Sequence, residues 1–404
     1  MAQKTGIMIV KRLILLLFIL FPFGQLTRLP LPVSPAVRIY GHDVIVILII
    51  VAWLISLRIR QTKLVYSPLL KPIGFFVTSA LLSLSLARFR YPLDELLIGS
   101  LYLLRWILYA GLYPVVYTVA RQDKKFTERL LMFLGGAGVV SALFGLMQYA
   151  LYPNLRNLMY LGWDPHEYRV FAPFFDSGFT GLVYVMTLLL LAHQWMRNRR
   201  NGVLVTGMAI TYTALALTYS RASFVALCAG FLVFSIFQKS IKPVAIVTLL
   251  LGATLLLLPH SSPRSEGTNL ARTASAEARL SNYEQSIEII KDHPLFGIGF
   301  NMMRYENRNR NFVPVYEWET SNAAAGLDNS LLFVWATTGV LGLISYGYLL
   351  FKAATITVKP FRVLVIATLS AVLVHSIFNN SLFYPWIMIW MWVLLGVAHV
   401  PRRL

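Results

Sequence analysis

Long runs of apolar residues, separated by shorter polar stretches, dominate the chain. A transmembrane helix needs about 20 predominantly apolar residues, so these runs predict membrane spans. The span at 43–58 has the weakest pattern because it is short. The first run has a basic start, yet no small-residue cleavage site follows, so we interpret it as a retained helix. We predict about twelve spans, at 7–25, 43–58, 67–87, 95–119, 127–151, 179–196, 203–219, 221–238, 243–259, 329–351, 362–379 and 383–400.

Composition supports the same class. Of the 404 residues, 57% are hydrophobic and 13% are charged, and the mean hydropathy is +0.65. A soluble domain carries roughly a quarter charged residues. The single cysteine, Cys228, lies inside an apolar run, which excludes a disulfide framework. The sequence therefore predicts an all-α polytopic membrane protein.

The net charge of +19 has two sources. Most basic residues fall in alternate connections, which the positive-inside rule assigns to the cytoplasm together with both termini. This explains most of the charge without nucleic acid. The rule does not require the arginines on the opposite side, and an anionic substrate would explain them. These are Arg88, Arg90, Arg169, Arg221, Arg272 and Arg279.

One connection on the outer side is large enough to fold locally. The loop 260–328 separates the transmembrane region 1–259 from the region 329–404. Within it, Ser275 to Lys291 has a helical pattern, with an apolar stripe predicted at Leu280, Tyr283, Ile287 and Ile290. We predict an amphipathic helix that lies across the outer face of the bundle. It either covers the bundle for stability or roofs a substrate cleft.

Two positions carry charge at the edge of predicted spans. In "TYSRASFVALC", Arg221 sits in a turn too short to lift a guanidinium far from the bilayer. A charge at membrane depth costs about 2.5–3.5 kcal/mol on insertion scales, so it indicates function unless the side chain snorkels to the head groups. In "LDNSLLFVWATTGVLGL", Asp328 and Asn329 precede a helix. Either capping of that helix or a position facing a cleft would explain them.

The stretch "YRVFAPFFDSGFTG", residues 168–181, places Arg169 and Asp176 among aromatic side chains. Such a mixture suits contacts with sugars or lipid head groups, and it also suits an interfacial aromatic belt. Metal-ligand spacing, a Walker motif and a dinucleotide fingerprint are all missing from the sequence. We therefore expect no metal and no cofactor. A substrate already activated as a lipid pyrophosphate would supply the energy.

In its order of motifs the chain resembles the O-antigen ligase and polymerase family of integral-membrane glycosyltransferases. The resemblance covers roughly 168–400 in motif and the whole chain in topology. Its most specific elements are "HPLFGIGF" and "GVLGL" taken together. The motifs, in order, are "YRVFAPFFDSGFTG", "TYSRA", "RLSNYEQSIEIIKDHPLFGIGFN", "LDNSLLFVWATTGVLGL" and "HSIFNNSLFYPWIMIWMWVLLG".

The resemblance implies a GT-C-like enzyme of the bacterial inner membrane, with its active site facing the periplasm or cell exterior. Members take a glycan from undecaprenyl pyrophosphate and join it, with inversion and without a metal, to a hydroxyl of an acceptor glycolipid or glycan. The family arginines match Arg221 and Arg279, which would bind the pyrophosphate. Arg169 matches a third arginine and would assist. We also assign Asp176, Asn329 and Arg272 to substrate binding.

One position departs from the family pattern. Ligases of the family typically have a histidine where this chain has Asp328, which would serve here as the general base. The change leaves open whether the enzyme is a ligase or a polymerase of O-antigen or exopolysaccharide. A protein O-oligosaccharyltransferase is also compatible with these motifs, and a lipid or solute transporter is a more distant candidate.

Overall fold

The computed structural model describes residues 2–29, 36–60, 66–258, 268–270, 273–314, 318–319 and 326–401. The described part of the chain is mostly helical. A two-residue antiparallel pair, β1 (Arg28–Leu29) with β2 (Ile39–Tyr40), provides its sheet. Short 3₁₀ helices occur at Phe21–Thr27, Arg156–Leu161 and Ser381–Phe383.

Fourteen α-helices occur in the described residues. They are α1 (Ala2–Leu20), α2 (Gly41–Arg60), α3 (Leu70–Ala87), α4 (Leu93–Gln122), α5 (Lys124–Leu151), α6 (Ser177–Arg197), α7 (Gly202–Ala216), α8 (Arg221–Gln238), α9 (Lys242–Leu257), α10 (Ala274–Asp292), α11 (Met303–Asn309), α12 (Ser330–Thr355), α13 (Lys359–His375) and α14 (Pro385–Ala398).

Each of the twelve predicted spans overlaps one of these helices. Eight helices in the described residues are long and apolar enough to cross a membrane, and α7, α9 and α14 are shorter apolar helices. The structure therefore confirms the all-α membrane class, while the number of twelve spans stays a prediction. Helices α6 and α14 are buried along most of their lengths, so they form the centre of the bundle. Helix α8 packs along α13, and α14 packs along α4.

The helix predicted at 275–291 is confirmed as α10, but its predicted apolar stripe is wrong at Leu280 and Ile287, while Ile290 is buried as predicted. Leu280 and Ile287 are exposed, at 60% and 45% of their surfaces. The buried face instead runs through Ser286, Ile289 and Ile290. This face is rotated from the predicted one because polar residues of α10 also make contacts with the bundle.

The two most specific motifs pack against each other. Gly339 interrupts α12 with a φ of +66°, and the turn after α10 contacts the kink that results. The backbone N–H groups of Ile298 and Gly299 donate to the carbonyls of Ala336 and Thr337, at 2.9 and 3.1 Å, and the N–H of Val340 donates to the carbonyl of Pro294 at 2.9 Å instead of to Ala336. This backbone pairing fixes the position of α10 relative to α12.

Candidate functional site

Arg221 is the first residue of α8. Ser220 caps the helix by accepting the backbone N–H of Ser223 at 3.3 Å. The Arg221 guanidinium is partly buried and donates to the carbonyl of Leu270 at 3.2 Å, so it reaches the segment between α9 and α10. Its contact with the loop argues against a side chain that only snorkels to lipid.

Arg169 lies directly behind this turn. It is buried, and its Nε donates to the carbonyl of Thr218 at 2.9 Å, while a terminal nitrogen donates to that of Tyr219 at 3.4 Å. These carbonyls belong to the α7–α8 turn that presents Arg221. Arg169 therefore holds the turn in place, and direct substrate binding by its side chain stays a prediction.

Arg279 lies at the centre of the candidate site. From α10 its Nε donates to the carbonyl of Phe378, at 3.1 Å, at the end of the α13 segment. Its charge interacts electrostatically with Arg221, Asp176 and Asp328. Its two terminal nitrogens donate no hydrogen bond to any part of the chain that the structure describes. They are available donors for an anionic ligand.

Asn329, and not Asp328, caps α12. Its side-chain oxygen accepts the N–H groups of Leu331 and Leu332, at 2.9 and 3.1 Å. The backbone N–H of Asp328 donates to the side-chain oxygen of Asn282 on α10, at 2.9 Å. The Asp328 carboxylate accepts no hydrogen bond from the described residues. Capping therefore explains Asn329 but leaves Asp328 available for chemistry.

Burial controls the protonation of Asp328. Desolvation raises the pKa of its carboxyl above the usual value, and this effect outweighs the opposite effect of Arg279. The charges of Asp176 and Asp164 raise the pKa further. A carboxylate with a raised pKa is a better proton acceptor than an ordinary aspartate, which suits a general base.

Asp176 is the N-cap of α6, where its Oδ1 accepts the N–H of Phe179 at 2.8 Å. Burial raises the pKa of its carboxyl, while this backbone bond and the charges of Arg169 and Arg279 lower it. Because Asp176 also interacts with Asp328, two carboxylates and the Arg279 guanidinium form one electrostatic group. Capping accounts for part of the role of Asp176, and its contact with substrate stays a prediction.

His375 connects the elements around the site. It is completely buried, with Nε2 3.3 Å from the Ser223 hydroxyl and Nδ1 2.7 Å from the Ser381 hydroxyl. The Ser223 hydroxyl also donates to the carbonyl of Gly178 at 3.1 Å. The imidazole thus joins α8, α13 and the start of α6, which supports a structural role.

A cavity of about 250 Å³ lies next to this group of residues. Gly326, Asn380 and Tyr384 line it, as do Arg304 and Arg105. Neither Arg221 nor Arg279 contributes to its wall. Asp328 does not line the cavity either, although Gly326, two residues earlier in the chain, does.

Of the predicted site residues, six fall in one region: Arg169, Asp176, Arg221, Arg279, Asp328 and Asn329. Arg272 lies outside the described residues. Sequence reasoning missed Asn282, whose role depends on a contact between α10 and Asp328 that no local pattern reveals. It also missed Arg304, which is buried although it lies in a polar segment.

The described residues contain no group of three His, Cys, Asp or Glu side chains that could hold a metal ion. Independence from a metal stays a prediction. The chemically active groups at the site are guanidinium ions and carboxylates. Such a set can bind phosphate oxygens and accept a proton.

A comparison with protein families identifies a related group. Residues 206–347, about a third of the chain, match the Wzy_C family, described as O-antigen ligase. This range is similar to O-antigen ligases. The match supports assignment of the chain to the O-antigen ligase and polymerase family, and it confirms the resemblance seen in the motifs. The matched range contains Arg221, Arg279 and Asp328.

The search among curated proteins finds no match for the chain. Members of the O-antigen ligase family are membrane glycosyltransferase-like enzymes with lipid-linked or glycan substrates. The family match and the apolar helices together indicate a bacterial inner-membrane protein. They also support a role in lipopolysaccharide biosynthesis.

Proposed function

We propose that the chain transfers a glycan from undecaprenyl pyrophosphate to a hydroxyl group of an acceptor glycolipid or glycan. The observation that supports this most strongly is the position of Arg279. Its terminal nitrogens have no partner among the described residues, and its charge acts on Arg221 and on the Asp328 carboxylate. A cation next to a base suits a reaction in which one oxygen loses a proton and another gains negative charge.

Arg279 and Arg221 bind the pyrophosphate of the donor. Arginine suits this role because its charge is permanent and its planar fork matches phosphate oxygens. As the bond between the anomeric carbon and the pyrophosphate oxygen breaks, its electron pair stays on that oxygen. The two guanidinium groups stabilise this negative charge in the transition state.

Asp328 accepts the proton of the acceptor hydroxyl. The hydroxyl oxygen attacks the anomeric carbon from the face opposite the leaving group, so the configuration at that carbon inverts. The products are the new glycoside, undecaprenyl pyrophosphate and protonated Asp328, which then releases its proton to water. Burial raises the pKa of Asp328, so its carboxylate accepts the proton more readily than an ordinary aspartate would.

The proposed orientation puts both termini in the cytoplasm and the site on the periplasmic or outer face. It follows from the distribution of basic residues. Transfer is measured in reconstituted vesicles with the lipid-linked glycan pool of the source bacterium. Arg221→Ala, Arg279→Ala and Asp328→Asn are each expected to lose most of the transfer, and near-normal turnover in all three would refute the proposal.

A further inference from the structure

The cavity beside the site has walls suited to a sugar ring. Phe179 and Tyr384 line it and stack on each other, with ring centroids 3.9 Å apart and an angle of 8°. Trp106, Phe300 and Phe333 are further aromatic residues of the wall. The face of an aromatic ring is negatively polarised and attracts the polarised C–H groups of a sugar. The volume of about 250 Å³ lies just below the roughly 300–1,000 Å³ of drug-sized sites, so it suits a single ring.

Arg304 brings a positive charge to this wall. It is 8% exposed, and its Nη1 donates to the backbone carbonyls of Trp318 and Glu319. Its other nitrogens donate no hydrogen bond to the described residues, and no described carboxylate forms an ion pair with it. Burial lowers its pKa, and the carboxylate of Glu319 acts on it less than burial and the charge of Arg38 do.

Arg105, the other arginine of the cavity, provides a contrast. It forms an ion pair of 2.7 Å with Asp43 on α2, so its charge is already compensated. A buried cation without such a partner is costly, and a bound anion would compensate it. The wall therefore carries one guanidinium in a close ion pair and one that forms no ion pair with any residue in the described part of the chain.

Three buried polar atoms of the lining residues, one of them the indole nitrogen of Trp106, have no hydrogen-bond partner among the described residues. The Tyr305 hydroxyl and the side-chain oxygen of Asn380 make no hydrogen bond within the described part of the chain. Buried polar atoms of native proteins are almost always paired. The hydroxyl groups of a sugar would provide a donor for Asn380 and a partner for Tyr305.

We propose that this cavity binds an acceptor sugar residue that bears an anionic group, a carboxylate or a phosphate, and that Arg304 recognises this group. The identification of this sugar as the acceptor rests on the proposed function, whereas the binding of an anionic sugar does not. We assign the sugar to the acceptor because neither arginine proposed to bind pyrophosphate lines the cavity. Asp328 does not line it either, but Gly326, two residues before Asp328, does. The substrate class is therefore an acidic glycan.

The test is binding of soluble sugars to the full-length protein in lipid nanodiscs, measured by saturation-transfer NMR against empty nanodiscs. The probes are sodium D-glucuronate, D-glucose 6-phosphate and D-glucose. We expect at least one anionic sugar to bind about tenfold or more tightly than glucose, as a charge-assisted bidentate contact predicts. Tighter binding of D-glucuronate would identify the anionic group as a carboxylate, and tighter binding of D-glucose 6-phosphate would identify it as a phosphate. Equal binding of all three sugars would overturn the proposal.

The variant Arg304→Gln is expected to reduce binding of the anionic sugar to the level of glucose. Arg129→Gln, at an exposed arginine of α5 that does not line the cavity, is the matched control and is expected to bind as the wild type does. Because Arg304 also holds two backbone carbonyls, Tyr305→Phe provides a second variant that loses only a hydroxyl group. It is expected to weaken binding of all sugars by a few fold, and unchanged binding in both variants would contradict the proposal.

Competition separates this site from the pyrophosphate site. Undecaprenyl pyrophosphate is expected to leave binding of the anionic sugar unchanged, and displacement would show that the cavity belongs to the donor site. The Arg279→Gln variant is expected to retain sugar binding while it loses transfer. If the wild type transfers glycan and Arg279→Gln does not, but the wild type shows no preference for anionic sugars, only this inference is refuted. If the wild type prefers anionic sugars but transfers no glycan, only the proposed function is refuted.

Discussion

The side-chain oxygen of Asn282 accepts the backbone N–H of Asp328 at 2.9 Å. Asn282 follows Arg279 by three residues on α10, so both lie on the same face of that helix. One helix therefore carries the arginine and also fixes the backbone of the residue proposed as base. This relationship explains why polar residues of α10 face the bundle while Leu280 and Ile287 are exposed.

Replacement of Asn282 is expected to displace Asp328 without removing a charge. A misplacement of about 1 Å can cost about 100-fold in rate, so we expect Asn282→Ala to lower the transfer rate by about 10- to 100-fold. Binding of undecaprenyl pyrophosphate is expected to stay within about twofold of the wild type. Ser281→Ala, at an exposed neighbour on α10, is the control. Equal transfer rates in the two variants would show that this contact does not position the base.

The pH dependence of transfer reports on Asp328. Because burial raises the pKa of its carboxyl, the acidic limb of the rate profile is expected above about 3.9, where an unperturbed aspartate titrates. The base must be ionised, so the rate is full above the raised pKa and falls as the pH decreases through it. The measurement is kcat/KM for transfer as a function of pH.

Asp176, whose pKa burial also raises, faces the same arginine and needs a separate test. Asp328→Asn is expected to lower the rate by about 10²- to 10⁴-fold and to remove the acidic limb from the residual activity. Asp176→Asn keeps a capping side chain and is expected to retain the limb. A limb that persists in Asp328→Asn and disappears in Asp176→Asn would assign the base to Asp176.

The kink of α12 predicts that a single methyl group added at Gly339 strongly reduces stability and transfer. A Cβ at Gly339 would lie 2.1 Å from the carbonyl oxygen of Leu295, and the φ of +66° is unfavourable for other residues. Gly339→Ala is therefore expected to break the pairing with the turn after α10, and to lower both the thermal unfolding midpoint and transfer. Gly347→Ala on the same helix has nothing within 4 Å and is expected to leave both unchanged or slightly improved. Equal midpoints for the two variants would contradict the close packing.

The buried ion pair of Arg105 with Asp43 predicts that replacement of Asp43 lowers thermal stability more than replacement of Asp123 does. Both of its side chains are largely buried, at 17% and 10% exposed, and Asp43 also accepts the Tyr109 hydroxyl at 2.7 Å. Removal of one partner from a buried pair costs about 3–5 kcal/mol. Asp43→Asn is therefore expected to lower thermal stability in detergent markedly.

Asp123→Asn is the control for Asp43→Asn. Asp123 pairs with Lys11 at 2.6 Å in a more exposed position, and it caps α5, which asparagine does equally well. Exposed pairs contribute about 0–1 kcal/mol, so little change is expected. A larger loss in Asp123→Asn than in Asp43→Asn would contradict the difference in burial.

The sequence predicted the helices well because apolar periodicity and length are local properties. The outer helix was predicted at Ser275 to Lys291 and runs from Ala274 to Asp292. Its buried face could not be predicted in the same way. At a functional site polar side chains face inward, so the apolar stripe at Leu280 and Ile287 does not indicate the direction of the bundle.

Sequence patterns could not predict contacts between segments that lie far apart in the chain. The partner of Arg105 is Asp43, 62 residues earlier, and no local spacing connects them. Asp328 and Asn329 were equally good candidates for the cap because both types accept backbone N–H groups. Only the geometry distinguishes them, with Asn329 bound to Leu331 and Leu332. The motif order did predict that Arg221, Arg279 and Asp328 belong to one region.

The most direct measurement is binding of undecaprenyl pyrophosphate to the purified protein in nanodiscs, compared between wild type and Arg279→Gln. Loss of a guanidinium that binds the pyrophosphate is expected to weaken affinity by about tenfold or more. Arg129→Gln, at an exposed arginine of α5, is expected to bind normally. Wild-type affinity in Arg279→Gln, together with normal transfer, would contradict the central role of this arginine and with it the proposed reaction.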